Sequence, residues 1–152
     1  MKLLIIGGSD AGISAALRAR EIDSALSITI LLKDEFPNYS ICGIPFFISG
    51  ETPDFRRLAH RGTDELLDAG IELKLRHQAL TLDPKAKQVL VCGPEGRAEQ
   101  IPYDRLIVAT GARSILPPIT GLQNQGVFTL RWTGEALELS CFLMERKPRR
   151  AT

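Results

Sequence analysis

An apolar run that breaks into a glycine-rich turn constrains this chain more than any other feature. Leu3-Leu4-Ile5-Ile6 leads straight into Gly7-Gly8-Ser9-Asp10-Ala11-Gly12. The next residues keep helical periodicity, with Ile13, Ala16, Leu17 and Ala19 on one face and Arg18, Arg20 and Glu21 on the other. A second strand pattern, Ser27-Ile28-Thr29-Ile30-Leu31-Leu32, comes after them. Strand, turn, helix and strand in this order spell the phosphate-binding corner of a βαβ unit. Gly7 permits the tight turn, Gly12 lets helix and strand pack closely, and the N–H groups at the helix start can hold a pyrophosphate. A turn that merely packs a helix would not need three glycines in so short a stretch.

The rest of the chain is consistent with an α/β protein. Lys33-Asp34-Glu35-Phe36-Pro37-Asn38 reads as a polar loop, and Cys42-Gly43-Ile44-Pro45-Phe46-Phe47-Ile48 as the start of a short helix with Pro45 in its first turn. Thr52-Pro53-Asp54 repeats the start signal, and Thr63 to Ala69 reads as a helix with Thr63 as N-cap and Gly70 as stop. Ile71 to Leu75 predicts a third strand, and runs around Ala79 to Leu82, Gln88 to Val91 and Glu99 to Ile101 predict an antiparallel meander. Leu106-Ile107-Val108-Ala109 reads as a buried strand ending at Thr110-Gly111. A last helix is expected from about Gly134 to Glu145, with Ala136, Leu137, Leu139, Phe142 and Leu143 as its apolar band.

Composition narrows the function classes. At 152 residues, 44% hydrophobic and 24% charged, the chain is long enough for a proper core. A net charge of +1 argues against nucleic-acid binding driven by bulk charge, and Arg146-Lys147-Pro148-Arg149-Arg150 is best read as a solvated helix end. The opening apolar run is too short for a signal peptide and no stretch approaches a membrane span, so a cytoplasmic location is the expectation.

The three cysteines, Cys42, Cys92 and Cys141, are an odd number at long, unrelated spacings and suggest neither a disulfide framework nor a zinc site; no metal is expected. Cys42 is the candidate for chemistry. A thiol at a helix start is favoured as thiolate, the reactive form, by the helix dipole and free N–H groups. The alternative, a small inert hydrophobe in a core, is the usual fate of a free cysteine and is assigned to Cys92, beside a turn, and Cys141, on the apolar side of a helix. His60 and His77 sit in no motif and read as surface residues, and Trp132 as a packing residue.

Four segments together carry a resemblance: Gly-Gly-x-x-Ala-Gly after the first strand, Cys42-Gly43-Ile44-Pro45-Phe46, Ala109-Thr110-Gly111-Ala112-Arg113 with Pro117-Pro118 behind it, and Val127-Phe128-Thr129-Leu130-Arg131. In order and spacing they resemble the pyridine nucleotide-disulfide oxidoreductases, in particular the single-cysteine branch of coenzyme A-disulfide reductases, NADH oxidases and peroxidases, and persulfide reductases. The resemblance implies a Rossmann-like FAD/NAD(P)-binding fold with a parallel sheet plus an antiparallel meander, incomplete relative to the family. It implies FAD as cofactor, with Gly7, Gly8, Ser9, Asp10, Ala11 and Gly12 at its phosphates and ribose, Lys33 and Ala79 near the adenine, and Ala109, Thr110, Gly111 and Arg113 on its other side. Dithiol members place a second cysteine five positions after the first; Phe47 stands there, so the resemblance makes Cys42 a single redox thiol, restored by reduced flavin from a mixed disulfide, a persulfide or a sulfenic acid.

Three positions depart from the family pattern. Ser9 replaces the second glycine of the fingerprint. Asp10 stands where oxidase and peroxidase members carry a catalytic histidine, which shifts the expected substrate toward a small disulfide, persulfide or thiol. Leu32 occupies the end of the second strand, where an acidic side chain usually takes the ribose hydroxyls; Asp34 or Glu35 could substitute.

By the same resemblance, residues 1–115 are the N-terminal segment of an FAD-binding domain, and residues 116–152 a connector and helix leading toward an NAD(P)H-binding domain that whole members contain. Full turnover is then not expected of this chain alone, NAD(P)H being the hydride donor in a full-length parent. Self-association through exposed apolar surface is expected as well. The competing reading is a stand-alone adenine-nucleotide-binding or interaction module without redox turnover.

Overall fold

In a computed structural model, residues 1–150 are described; Ala151 and Thr152, the end of the expected 116–152 segment, lie outside the described residues. In chain order the elements are β1 (Lys2–Ile6), α1 (Asp10–Ile22), β2 (Ser27–Leu31), α2 (Ile44–Ile48), α3 (Thr63–Asp68), β3 (Ile71–Lys74), β4 (Gln78–Asp83), β5 (Gln88–Cys92), β6 (Ala98–Pro102), β7 (Arg105–Val108) and α4 (Thr133–Arg146). They fall into two compact units, one built from Met1–Tyr39 and Ala59–Gly111, the other from Ser40–Leu58 and the chain from Ala112 onward.

The first unit holds a parallel sheet in the order β3-β2-β1-β7 and an antiparallel sheet in the order β4-β5-β6. Side chains alternate across a strand, and β1 is buried on both faces. Leu3 and Ile5 join Ile13 and Ala16 of α1, Ile28 and Ile30 of β2, Leu66 and Ile71. Leu4 points the other way and packs with Leu31 and with Val89 and Val91 of the meander. That two-sided burial is why β1 reads as a continuous apolar run rather than an alternation. Arg20, placed by sequence on the solvated face of α1, instead donates to the Ala69 and Gly70 carbonyls at the end of α3 (3.0 and 2.7 Å) and to the Ser24 carbonyl (2.6 Å).

Several sequence expectations are corrected by this arrangement. The strand expected to be buried, Leu106 to Ala109, is an edge strand that stops at Val108, and Val108 is 61% exposed; an apolar run specifies strand character, not how many neighbours the strand has. Thr63 is the first helical residue of α3, with Gly62 at the N-cap. Gly70 does end that helix, at φ +71. The start signal at Thr52-Pro53-Asp54 yields a single 3-10 turn, Phe55–Leu58, where the Asp54 carboxylate accepts the Arg56 N–H.

In the second unit α2 packs against α4. Phe47 meets Phe55 edge-on at 6.3 Å, and Phe128 meets Phe142 at 5.0 Å. The start of α4 is held by Glu135, whose carboxylate accepts the Arg131 N–H, the Trp132 N–H and the Thr129 hydroxyl. Trp132 is the N-cap residue of α4 and is 38% exposed. Cys141, expected on the buried side, is exposed beside a groove lined by Val127, Phe128, Leu137 and Phe142. Among the described residues no helix is long and apolar enough to cross a membrane.

Candidate functional site

The glycine corner is built by close approach, and each of its glycines is required by a neighbour. Gly7 has φ +113, a region closed to most side chains, and a Cβ there would run into the Ala109 carbonyl. A Cβ on Gly8 would strike the Leu32 side chain, and one on Gly12 the Gly7 carbonyl. Gly8 and Gly12 are buried, and Ser9 is the N-cap of α1 with no side-chain cap of its own. The first helical bond of α1 runs from the Ile13 N–H to the Ser9 carbonyl (3.0 Å), so the preceding amides keep the unpaired donors that every helix start exposes. A thirteen-residue helix adds a positive dipole end at the same place.

The strand-end segment arrives at this corner. The Ala109 N–H donates to the Ile6 carbonyl (2.8 Å), and Thr110 and Gly111 come next, Gly111 at φ +67. On the other side, the exit from β2 runs beside the β3–β4 turn: the Leu32 carbonyl accepts the His77 N–H (2.7 Å) and the Asp34 carbonyl the Arg76 N–H (2.9 Å). Lys33, exposed, lies between those two anchors, and half-buried Ala79 pairs with Val91 in the meander. The first unit thus gathers Gly7, Gly8, Ser9, Asp10, Ala11, Gly12, Lys33, Ala79, Ala109, Thr110 and Gly111. Cys42 and Arg113 belong to the second unit.

Leu32 has a packing reason to be apolar. It is 5% exposed within the α1-side core and fills the space left by the missing Cβ of Gly8. Two residues on, Asp34 is half-buried; burial pushes its carboxyl above the usual range, against the lowering effect of the Phe36 N–H it accepts.

Sequence reasoning missed Asn38. It is 2% exposed, in the left-handed region at φ 58, and its N–H donates to the Gly8 carbonyl (2.8 Å). Its Nδ2 donates to Asp10 Oδ1 (3.1 Å), and its carbonyl accepts the His60 N–H (2.9 Å). Asparagine tolerates this backbone better than most residues, which is the one local signal available in Pro37-Asn38. His60 is exposed, as expected, with Nε2 3.8 Å from Asp10 Oδ1. His77, expected at the surface, is mostly buried, with Nδ1 2.7 Å from the Leu75 carbonyl and Nε2 3.6 Å from Glu99.

In the second unit Cys42 is exposed, two residues ahead of α2. Gly43 is required there, since a Cβ would meet Leu58 Cδ2 at 2.7 Å. The amides that could serve a thiolate are taken: Gly43 N–H goes to Ser40 (Oγ, 3.2 Å), Ile44 N–H to the Ile41 carbonyl (3.2 Å), and Pro45 has none. With only five residues, α2 also carries little dipole. The donors expected to favour the thiolate are thus spent on the turn itself.

A Cβ at any of the three glycines would strike the chain itself, so they serve the close packing of strand, turn and helix, and the first-turn amides of α1 are the groups that suit the pyrophosphate of a dinucleotide. Comparison with known proteins places the chain. Residues 1–147 match the family described as pyridine nucleotide-disulphide oxidoreductase. An NADH oxidase of Methanocaldococcus jannaschii is 30% identical over 132 residues, 86% of this chain and 30% of that protein. An NAD(P)H coenzyme A polysulfide/persulfide reductase of Pyrococcus horikoshii is 30% identical over 96% of this chain and 32% of its own length. Among solved structures, an NAD-dependent persulfide reductase from A. fulgidus superposes with TM-score 0.88 at 30% identity, covering 95% of this chain and 28% of that one. The reduced Bacillus anthracis CoADR-RHD shares the fold at TM-score 0.93 and 23% identity, over 97% of this chain and 27% of its own. The chain therefore spans about a third of the length of the curated relatives it matches. The family is FAD-dependent, with NAD(P)H as electron donor. With its glycine corner, its strand end at Ala109 and its match over residues 1–147, the chain belongs to the pyridine nucleotide-disulphide oxidoreductase family.

Proposed function

We propose that this chain provides the FAD-binding portion of a flavin-dependent thiol/disulfide oxidoreductase in which Cys42 is the single redox-active thiol. The observation that carries this reading is the close packing of the glycine corner: Ala109, Leu32 and the Gly7 carbonyl leave no room for a Cβ at Gly7, Gly8 or Gly12, and the first-turn amides of α1, just past the end of β1, are placed to serve a phosphate. Amides from Ser9 to Gly12 and the dipole of α1 hold the pyrophosphate. In this reading Lys33 and the backbone at Ala79 serve the adenine and Thr110 and Gly111 the rest of the cofactor, with Arg113 of the second unit a further candidate contact. Residues 1–115 form the flavin-binding segment and residues 116–152 the connector and helix after it. Bound there, FAD supplies two-electron transfer from NAD(P)H to the thiol site.

Cys42 takes a small disulfide or persulfide as substrate. Its thiolate attacks one sulfur, the S–S bond breaks and one half departs as thiolate; two electrons that originate in NAD(P)H then cleave the new S–S bond at Cys42, restoring its thiolate and releasing the second half as thiolate. The exposure of its sulfur supports this role. Apolar residues exposed in the second unit, among them Ile115 (86%), Ile119 (62%) and Met144 (65%), make self-association the expected state, read as a light-scattering mass that grows with concentration.

The test is a fluorescence titration with FAD, then reaction with a small aromatic disulfide. Saturable one-to-one binding is expected, unchanged in Cys42→Ser, which should lose the mixed disulfide at residue 42 on mass analysis. Absence of FAD binding refutes the flavin corner; a Cys42→Ser variant that labels like the native chain refutes the thiol assignment.

A further inference from the structure

Asp10 is an awkward residue for a phosphate site. As the first residue of α1 it puts a carboxylate in the turn whose amides face the anion. The structure surrounds that carboxylate with a built arrangement. Asn38 Nδ2 and His60 Nε2 approach the same oxygen, Asp10 Oδ1, at 3.1 and 3.8 Å. Asn38 also fixes both partners through its backbone, donating to the Gly8 carbonyl and accepting from the His60 N–H. Its own Oδ1 is buried with no hydrogen-bond partner, a condition rare in folded proteins. The Asp10 charge explains it: the amide must turn its donor toward the carboxylate, and the acceptor on the other side is left unpaired.

The imidazole contact is too long for a hydrogen bond and acts through charge, so it exists only while His60 is protonated. The charged groups that follow His60 in sequence are Arg61 and Glu65, paired with each other at 3.2 Å, and Asp64 in the first turn of α3. Among the described residues Asp10 alone lies within ion-pair distance of the ring.

We propose that the Asp10–His60 pair makes phosphate binding at the glycine corner pH-dependent: a protonated His60 offsets the Asp10 carboxylate, and dinucleotide affinity falls as that charge is lost. The inference rests on reading the corner as a flavin pyrophosphate site. Both side chains are more than half exposed, so solvent screens the pair and the effect is a modest one. By reciprocity, a bound dinucleotide holds the proton on His60 more tightly.

The experiment is FAD titration at about pH 6 and about pH 8, which bracket the interval where histidines lose their charge. In the native chain affinity should fall roughly two- to fivefold across the interval. Asp10→Asn should bind at the tighter level at both pH values, and His60→Gln at the weaker level at both. His77→Gln, altering the chain's other histidine, should keep the native slope. A flat native profile, or an Asp10→Asn profile as steep as the native one, overturns the coupling while leaving the flavin site standing. No FAD binding at either pH overturns the flavin reading and the coupling with it. A second measurement needs no variant: the ring signals of both histidines tracked by NMR with and without FAD. Titration of His60 should move to higher pH with FAD present while His77 stays in place, and superimposable His60 curves refute the proposal.

Discussion

Gly8 and Leu32 make a size-matched pair, and exchanging their volumes tests how the corner is built. A Cβ at Gly8 would lie 2.7 Å from Leu32 Cγ and 3.0 Å from Cδ2, and closer still to Cδ1. Because Leu32 is only 5% exposed in a packed cluster, it has little room to turn away. Gly8→Ala should therefore cost about 1–3 kcal/mol of overpacking, reduced by the roughly 0.4–1 kcal/mol gained from a stiffer unfolded chain, a net loss of about 1–2 kcal/mol. Leu32→Ala leaves a cavity and should cost about 2–4 kcal/mol. In the double variant the new methyl enters the vacated space, so the two losses should fall short of additive by about 1–2 kcal/mol. Urea denaturation of the four chains measures this cycle, and FAD affinity should track it, lost in Gly8→Ala and partly recovered in the double variant. Strict additivity would show that Leu32 does not fill the Gly8 position and would refute the account of why this residue is not acidic.

Three further outcomes are expected. Burial raises the Asp34 carboxyl, so its protonated form is the one the fold prefers: its contribution is fully present below the unfolded-state value and lost as pH rises through the raised folded value, and Asp34→Asn should unfold at higher temperature at neutral pH with the difference vanishing in acid. Arg20 spans three carbonyls at the ends of α1 and α3, so Arg20→Met should lose about 1–2 kcal/mol in urea denaturation, and Arg20→Lys should not restore it because an ammonium lacks the planar fork. Both Cys42 and Cys141 are exposed while Cys92 is partly covered, so thiol titration under native conditions should show a fast phase of two equivalents that falls to one in Cys42→Ser and also in Cys141→Ser.

The parts of this molecule that were legible in its sequence are those set by neighbours a few residues away. The turn at Gly7, the helix after it, the meander between Gln78 and Pro102, and the stop at Gly70 are dictated by backbone conformation and periodicity, which local sequence encodes directly. Burial is a different kind of quantity. Leu106 to Val108 has the composition of an interior strand yet forms an edge, and Cys141 sits on a helix whose apolar band covers less than its pattern suggested. The groups with partners far along the chain were misjudged for the same reason: Arg20 looked solvated because two of its three carbonyls lie some fifty positions away, and His77 looked exposed because Glu99 is on another strand.

Asn38 carries the same lesson into the candidate site. Read alone, it is one polar residue in a polar loop; in the structure it ties Gly8, Asp10 and His60 into one arrangement at the cost of an unpaired acceptor. The glycine fingerprint announces that a phosphate can approach, because the approach depends on missing side chains within one turn. It says nothing of the charge that approach meets. In this chain the charge is set by Asp10, and Asp10 is in turn answered by a loop and a histidine that the chain brings back from 28 and 50 residues away. Two chains with the same glycines can therefore hold the same ligand with different strength and different dependence on pH, decided by the residue at position 10 and by Asn38 and His60, which lie outside the motif.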